Sequence, residues 1–266
     1  MSVRFKIISC GYKAGPWLER CAESIAAQTY RNFDVIFVDD ASPGDEGAIL
    51  NRIMYEQNKT FDMRLEDGGD SWKRGWFVTE RAENVGPLQN QHEAIHHICE
   101  DDDDVIVIVD SDDFLAGPRA LRRLASYYDD NTLLTYGNYR PVPRSKTCPP
   151  VRRYPPEVIA QRSFREFTRT HGPYFNHLRT YRYGLYKSVD PDVYFKRDGK
   201  WLRNSIDLAA MLPMLEAAGT RHKMIEDVLL HYNSENPLSY WRINPQGLAD
   251  DDEWTLSRPV MEKYSD

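Results

Sequence analysis

Residues 105–115, VIVIVDSDDFL, carry the clearest chemistry in the chain. A run of β-branched apolar residues leads directly into Asp110, Ser111, Asp112 and Asp113. A buried strand that delivers three carboxylates to the edge of a sheet can hold a divalent cation there. Magnesium-like ions take one or two protein carboxylates and complete their shell with a ligand's phosphates. The plainer alternative is a strand followed by an acidic turn, because Asp and Ser are favoured turn residues. A second acidic pair, Asp39-Asp40, closes the apolar run FDVIFV. His231 falls near the end of another, MIEDVLLHYN, as a candidate third metal or diphosphate contact. A lone histidine at a strand end is more often structural, and that alternative stands beside it.

These side chains need elements to position them. VRFKIISC (residues 3–10) reads as a first strand, and PWLERCAESIAAQ places Trp17, Leu18, Cys21, Ile25 and Ala26 on one helical face. Pro16 suits the first helical turn, where its missing N–H costs nothing. FDVIFV is a second strand, followed by a helix from about Glu46 and a polar stretch, residues 58–75, without a clear assignment. Trp76 to Thr79 reads as a short strand and Leu88 to Cys99 as a helix. After the strand 105–109 come a helix from Pro118 to about Tyr128 and the strand TLLTYGNY. Glu100 to Asp104 reads as a solvated connection. Alternating strands and helices predict an α/β fold around a mainly parallel sheet. Ligands of such sheets bind beyond the carboxyl ends of the strands, so Asp39-Asp40 and Asp110–Asp113 are expected to share one cleft. A proline-rich, basic segment, Pro141 to Pro156, separates a first half from a second that holds one clear helix, Ser205 to Ala218, and the strand 224–233.

The 266 residues suffice for a sizeable core, and net charge is −7. No apolar run approaches the roughly 18 residues that span a bilayer. MSVRFKIISCGYK lacks a secretory cleavage pattern, and Cys10, Cys21, Cys99 and Cys148 show neither CxxC spacing nor scaffold density. Reduced thiols in a cytoplasmic protein are the expectation. Charge is unevenly distributed: Arg140 to Arg203 holds 15 basic against 5 acidic residues, leaving 19 basic and 36 acidic elsewhere. Either this segment meets an anionic partner or it pairs with the acidic remainder.

Three motifs in order, SIAAQTYRNFDVIFVDDASPGD, ENVGPLQNQHEAI and IVDSDDFL, resemble inverting glycosyltransferases of family 2, with the GT-A fold. The resemblance is specific over residues 3–120 and looser over 165–240. It implies a nucleotide-sugar-binding half (1–140), an acceptor-binding half (141–240) and a C-terminal tail (241–266), with Mn²⁺ or Mg²⁺ as cofactor. Asp39 lies where relatives bind the uracil of a UDP-sugar, with Cys10 near the base and Asp40 structural; capping of the following turn is the competing role for Asp39. Asp112 and Asp113 match the metal ligands, and Asp110 sits on the ribose or the metal. The Arg that relatives carry after the N-x-G loop is replaced here by Leu88-Gln89-Asn90-Gln91. Asp207 occupies the position of the catalytic base, although Asn204-x-x-Asp207 also reads as a helix cap. His177, Arg179 and Arg182, with Tyr181, are expected to border the acceptor, with core packing as the alternative.

HLRTYRYGLYK, PMLEAAG and YNSENPLS also resemble a phage and bacterial subgroup, some members of which are thought to glycosylate hydroxymethylated pyrimidines in DNA. The acceptor is therefore either a glycan or hydroxymethylated DNA. A nucleotidyltransferase is a poorer match, since CGYKAGP lacks the Gly-rich basic loop. An inactive sugar-nucleotide-binding protein of the same fold is the remaining alternative.

Overall fold

The computed structural model describes residues 2–65, 75–143 and 151–265, with no side chains described at 60–65, 193 and 194. Part of the unassigned polar stretch, part of the proline-rich segment and Cys148 lie outside them. The strands are β1 (Phe5–Gly11), β2 (Phe33–Asp39), β3 (Trp76–Glu80), β4 (Val105–Ile108), β5 (Phe114–Leu115), β6 (Leu134–Val142), β7 (Arg179–Arg182), β8 (Lys196–Arg197), β9 (Lys200–Trp201) and β10 (His222–Asn233). Eight of them form one sheet in the order β3-β2-β1-β4-β7-β6-β10-β5, while β8 and β9 form a separate ribbon.

The β3-β2-β1-β4 section is parallel throughout. β4 and the VIFV core of β2 are continuous apolar runs because both faces are covered there. Alternation sends Ile8, Ile36, Val38, Ile106 and Ile108 to one face, under the helices Pro87–Ile98 and Ile206–Ala218. Phe5, Ile7, Val35, Phe37, Val105 and Val107 face the other way, onto the helices Gly15–Ala26 and Glu46–Leu65. Helix Ile206–Ala218 is buried almost all round, which accounts for its near-absence of polar residues.

β7 breaks the parallel pattern. It runs antiparallel to β4 and β6, pairing Arg179 with Ile108 and Arg182 with Val105. The sheet therefore continues across the two halves read from the sequence, as one α/β unit. The expected tail is also structured: helix Pro245–Ser257 packs on the second half, with Asp251 buried and accepting from both the backbone N–H and Nδ2 of Asn204 at 3.0 Å. No helix among the described residues is long and apolar enough to cross a membrane.

The run Glu100–Asp104 is not merely solvated. Asp102 pairs with Lys187 (2.5 Å) and Asp103 with Arg182 (2.7 Å), while buried Asp104 approaches Lys6 (3.8 Å). Other cations of the basic segment are similarly engaged. Arg153 pairs with Glu226, Arg165 with Glu216, and Arg203 donates to Asn84. Part of the charge asymmetry is thus met by pairing with the acidic remainder.

Candidate active site

The carboxyl ends of β1 and β4 open into a cleft of about 630 Å³. Gly11 lets β1 lie against the turn after β4: a Cβ there would fall 2.8 Å from that of Ser111, and Ser9 and Ser111 share a hydroxyl contact at 3.0 Å. Across the cleft, Asp40 accepts from the N–H groups of Val85 (2.8 Å) and Gly86 (2.9 Å). Gly86 can take the required φ of +93° because it lacks a Cβ. Asp40 is thereby structural, as expected from sequence, while also lining the cleft.

Asp110, Asp113 and His177 converge, each offering one ligand atom, all within 4.8 Å of one another. Asp113 accepts from the Asn233 N–H at 2.8 Å through Oδ1, but its buried Oδ2 has no hydrogen-bond partner. Burial, then Asp112 and Asp110, push the Asp113 carboxyl well above the usual range. Asp112 is raised to about 6 by burial and Asp110, offset by Asn236, whose Nδ2 donates to Oδ2 at 2.6 Å. Burial, reinforced by Arg179, lowers His177 well below its usual value. It is therefore neutral at pH 7, with a ring lone pair available to a metal. An orphaned carboxylate oxygen amid close carboxylates and a neutral imidazole is a donor set that fits a divalent cation.

His231 does not join this group. It stands edge-on to Phe114 at 4.8 Å, on the ring that Arg20 covers from 3.5 Å. His177, expected at the acceptor, is the histidine that meets the aspartates, seated between Tyr139 and Tyr232. Arg182 is likewise displaced from its expected place, because the antiparallel run of β7 carries it to the opposite edge of the sheet, onto Asp103. Arg179 stays at the right edge but is buried behind the cleft, pairing with Asp207 and, at 3.5 Å, with Asp110.

Asp207 lies in the first turn of helix Ile206–Ala218 and lines the cleft, 44% exposed. The capping alternative is not built: Ser205 occupies the cap position without a side-chain cap bond, and Asn204 is held by Asp251. Asp39 caps the next turn instead, accepting from the Ser42 N–H at 3.0 Å, and is not among the residues lining the cleft. Cys10 is. Burial, Asp110 and Asp40 push its thiol well above the usual range, making it a small neutral wall rather than a nucleophile. Asn236 and the aromatic segment Tyr240-Trp241 complete the cleft. Neither stood out in the sequence, since an Asn in a polar loop has no local signature.

Residues 6–190 match the family model of Glycosyl transferase family 2, and the chain belongs to that family. Over 88 residues it is 30% identical to Glycosyltransferase GlyG of Streptococcus pneumoniae serotype 4 (strain ATCC BAA-334 / TIGR4), which covers 30% of this chain and 29% of GlyG. S. aureus TarS 1-349 in complex with UDP superposes with a TM-score of 0.64 at 16% identity, covering 98% of this chain and 68% of that one. A longer TarS chain gives 0.63 at 17%, with 94% and 38% covered. The mannosyltransferase PcManGT from Pyrobaculum calidifontis, in complex with GDP-Man and Mn²⁺, gives 0.57 at 16%, with 94% and 64% covered. The likeness is one of fold, the GT-A arrangement, and this chain spans well under half of GlyG and of the longer TarS chain.

Proposed function

We propose that the chain is a metal-dependent inverting glycosyltransferase that moves a sugar from a nucleotide-sugar, a UDP-sugar in the first instance, to an acceptor hydroxyl. One observation carries this reading: Asp110 and His177, which converge with buried Asp113, line a cleft together with the exposed carboxylate of Asp207. Family membership and the UDP-bound and GDP-Man-bound proteins of the same fold support it. So does the absence of any lysine or arginine among the described lining residues, which leaves a donor diphosphate dependent on a cation. Asp110, Asp113 and His177 would hold Mn²⁺ or Mg²⁺, with Asp112 beside them. A bound ion would neutralise the departing diphosphate.

The protein's own part is to bind and orient. Cys10, Asn84 and Asn90 line the end of the cleft suited to the base, with Asp39 behind them. Asp207 takes the proton of the acceptor hydroxyl as its oxygen bonds to the anomeric carbon and the bond to the diphosphate breaks. Arg179, held between Asp110 and Asp207, fixes the base relative to the donor end. Asp207→Asn tests the assignment: UDP-sugar binding with manganese is retained, while transfer falls by about 10²–10⁴-fold. Transfer at the wild-type rate removes Asp207 as base.

A further inference from the structure

The mouth of the cleft is aromatic and its wall is acidic. Tyr12, Trp241 and Ile243 line it while remaining 41%, 52% and 55% exposed, three of the large apolar side chains the protein leaves open to solvent. Tyr12 follows β1 on one side, and Trp241 and Ile243 come from the C-terminal segment on the other. Four carboxylates, Asp40, Asp110, Asp112 and Asp207, line the interior. Two rim cations lie against rings: Lys13 is 5.1 Å from the centre of Tyr12, and Arg242 is 4.2 Å from that of Trp241 while donating to the Ser234 carbonyl at 2.8 Å. No lysine or arginine of the basic segment is among the described residues lining the cleft; Arg179 pairs with Asp110 and Asp207, Arg182 with Asp103, and Arg203 donates to Asn84.

We propose that the acceptor is a neutral sugar residue, packed by its C–H face on Trp241 with Tyr12 opposite, and not a polyanion such as DNA. A pyranose presents an apolar face to stack on an aromatic ring and hydroxyls for Asp207. A phosphate backbone approaching the same mouth would meet four carboxylates against two rim cations, Lys13 and Arg242, too few for the several phosphate contacts that supply affinity for nucleic acid. An anionic glycan would meet the same field. Trp241 remains half exposed with Arg242 over its ring, and the charge of the wall selects what reaches it.

This inference rests on the glycosyl-transfer reading, and the test separates the two. Release of UDP from UDP-glucose and UDP-N-acetylglucosamine by wild-type protein with Mn²⁺, without acceptor, examines glycosyl transfer alone. p-Nitrophenyl glycosides of neutral hexoses, p-nitrophenyl glucuronide and a duplex containing 5-hydroxymethylcytosine are then added in turn. Neutral glycosides are expected to stimulate UDP release, and the glucuronide and duplex are not. Trp241→Ala should raise the KM for the neutral glycoside about tenfold, the loss of one stacked ring, with kcat within about twofold. Trp241→Phe should restore most of that loss. The proposal fails if the duplex or the glucuronide is the better acceptor, if no neutral glycoside stimulates release, or if Trp241→Ala keeps the wild-type KM.

Discussion

Asp113→Asn should make the metal-free protein more stable and the metal-treated protein less so. Asp113 lies within 4.8 Å of Asp110 through the oxygens that would ligate an ion. Two unit charges at that separation repel by about 1 kcal/mol at the dielectric of water and about 3.5 kcal/mol at an effective value near 20. Because burial and neighbouring carboxylates already push Asp113 towards its neutral form, the lower end applies. The amide keeps the Oδ1 acceptor for the Asn233 N–H, so the fold of the turn is preserved. Without metal, then, the variant should unfold about 2–4 °C above wild type, for a gain near 1 kcal/mol. Manganese at a hundred times its dissociation constant adds about 2.7 kcal/mol to the wild type by mass action, roughly 5–10 °C. The variant, with no anionic oxygen left at the orphaned position, should lose most of that increment. Thermal unfolding with and without manganese reads both effects. An equal manganese shift in the two proteins would refute the ligand assignment, and a destabilised metal-free variant would refute the repulsion argument.

Two further outcomes concern the framework around the cleft. Glu216 is fully buried, accepts from Arg165 Nη2 and the Met261 N–H at 3.0 Å each, and forms an ion pair with Arg165 Nε at 2.8 Å. Glu216→Ala leaves a buried guanidinium unpaired and should cost about 3–5 kcal/mol in urea unfolding, with Arg165→Met/Glu216→Leu recovering most of it; a loss under about 1 kcal/mol contradicts the pairing. His92 packs among Tyr186, Phe195 and Trp201, and burial with His96 nearby lowers it from 6.5 to about 4. The folded state therefore disfavours the proton that the unfolded chain accepts. Stability should be complete above about pH 6.5, decline between there and pH 4, and be lost in full below pH 4. At 1.36 kcal/mol per pKa unit the fall approaches about 3 kcal/mol, or roughly 1–2 kcal/mol once partial exposure is allowed for. Unfolding of wild type and His92→Gln at pH 7 and 5 checks this, since the variant should lose the corresponding part of the pH dependence.

The candidate site was legible wherever its signal is local. A β-branched run ending in acids declares both a buried strand and its carboxyl edge, and of the two acidic clusters expected to share a cleft the structure puts Asp40, Asp110 and Asp112 on its lining, whereas Asp207 was raised only by the family resemblance. What could not be read was the direction of β7. Its four residues form no helix-to-strand alternation with their neighbours, and an antiparallel strand inserted between β4 and β6 is fixed by non-local pairing alone. Reversal has one consequence at each end. His177, just before the strand, arrives at the carboxyl edge and meets Asp110 and Asp113. Arg182, three residues beyond Arg179, is carried about 10 Å away to the other edge. His231 misled for the opposite reason, since its strand was correctly foreseen. β10 pairs it with Phe114, the residue immediately after Asp113, yet its ring packs on that phenyl group beside Arg20. The basic segment was misleading in the same way, because its partners Asp102, Asp103, Asp110 and Glu226 are distant in sequence. Composition can count charges along a chain, but only the fold decides which of them meet. That is why the proposed acceptor is argued from the rings at Tyr12 and Trp241 and the carboxylates behind them, rather than from the excess of arginine between residues 140 and 203.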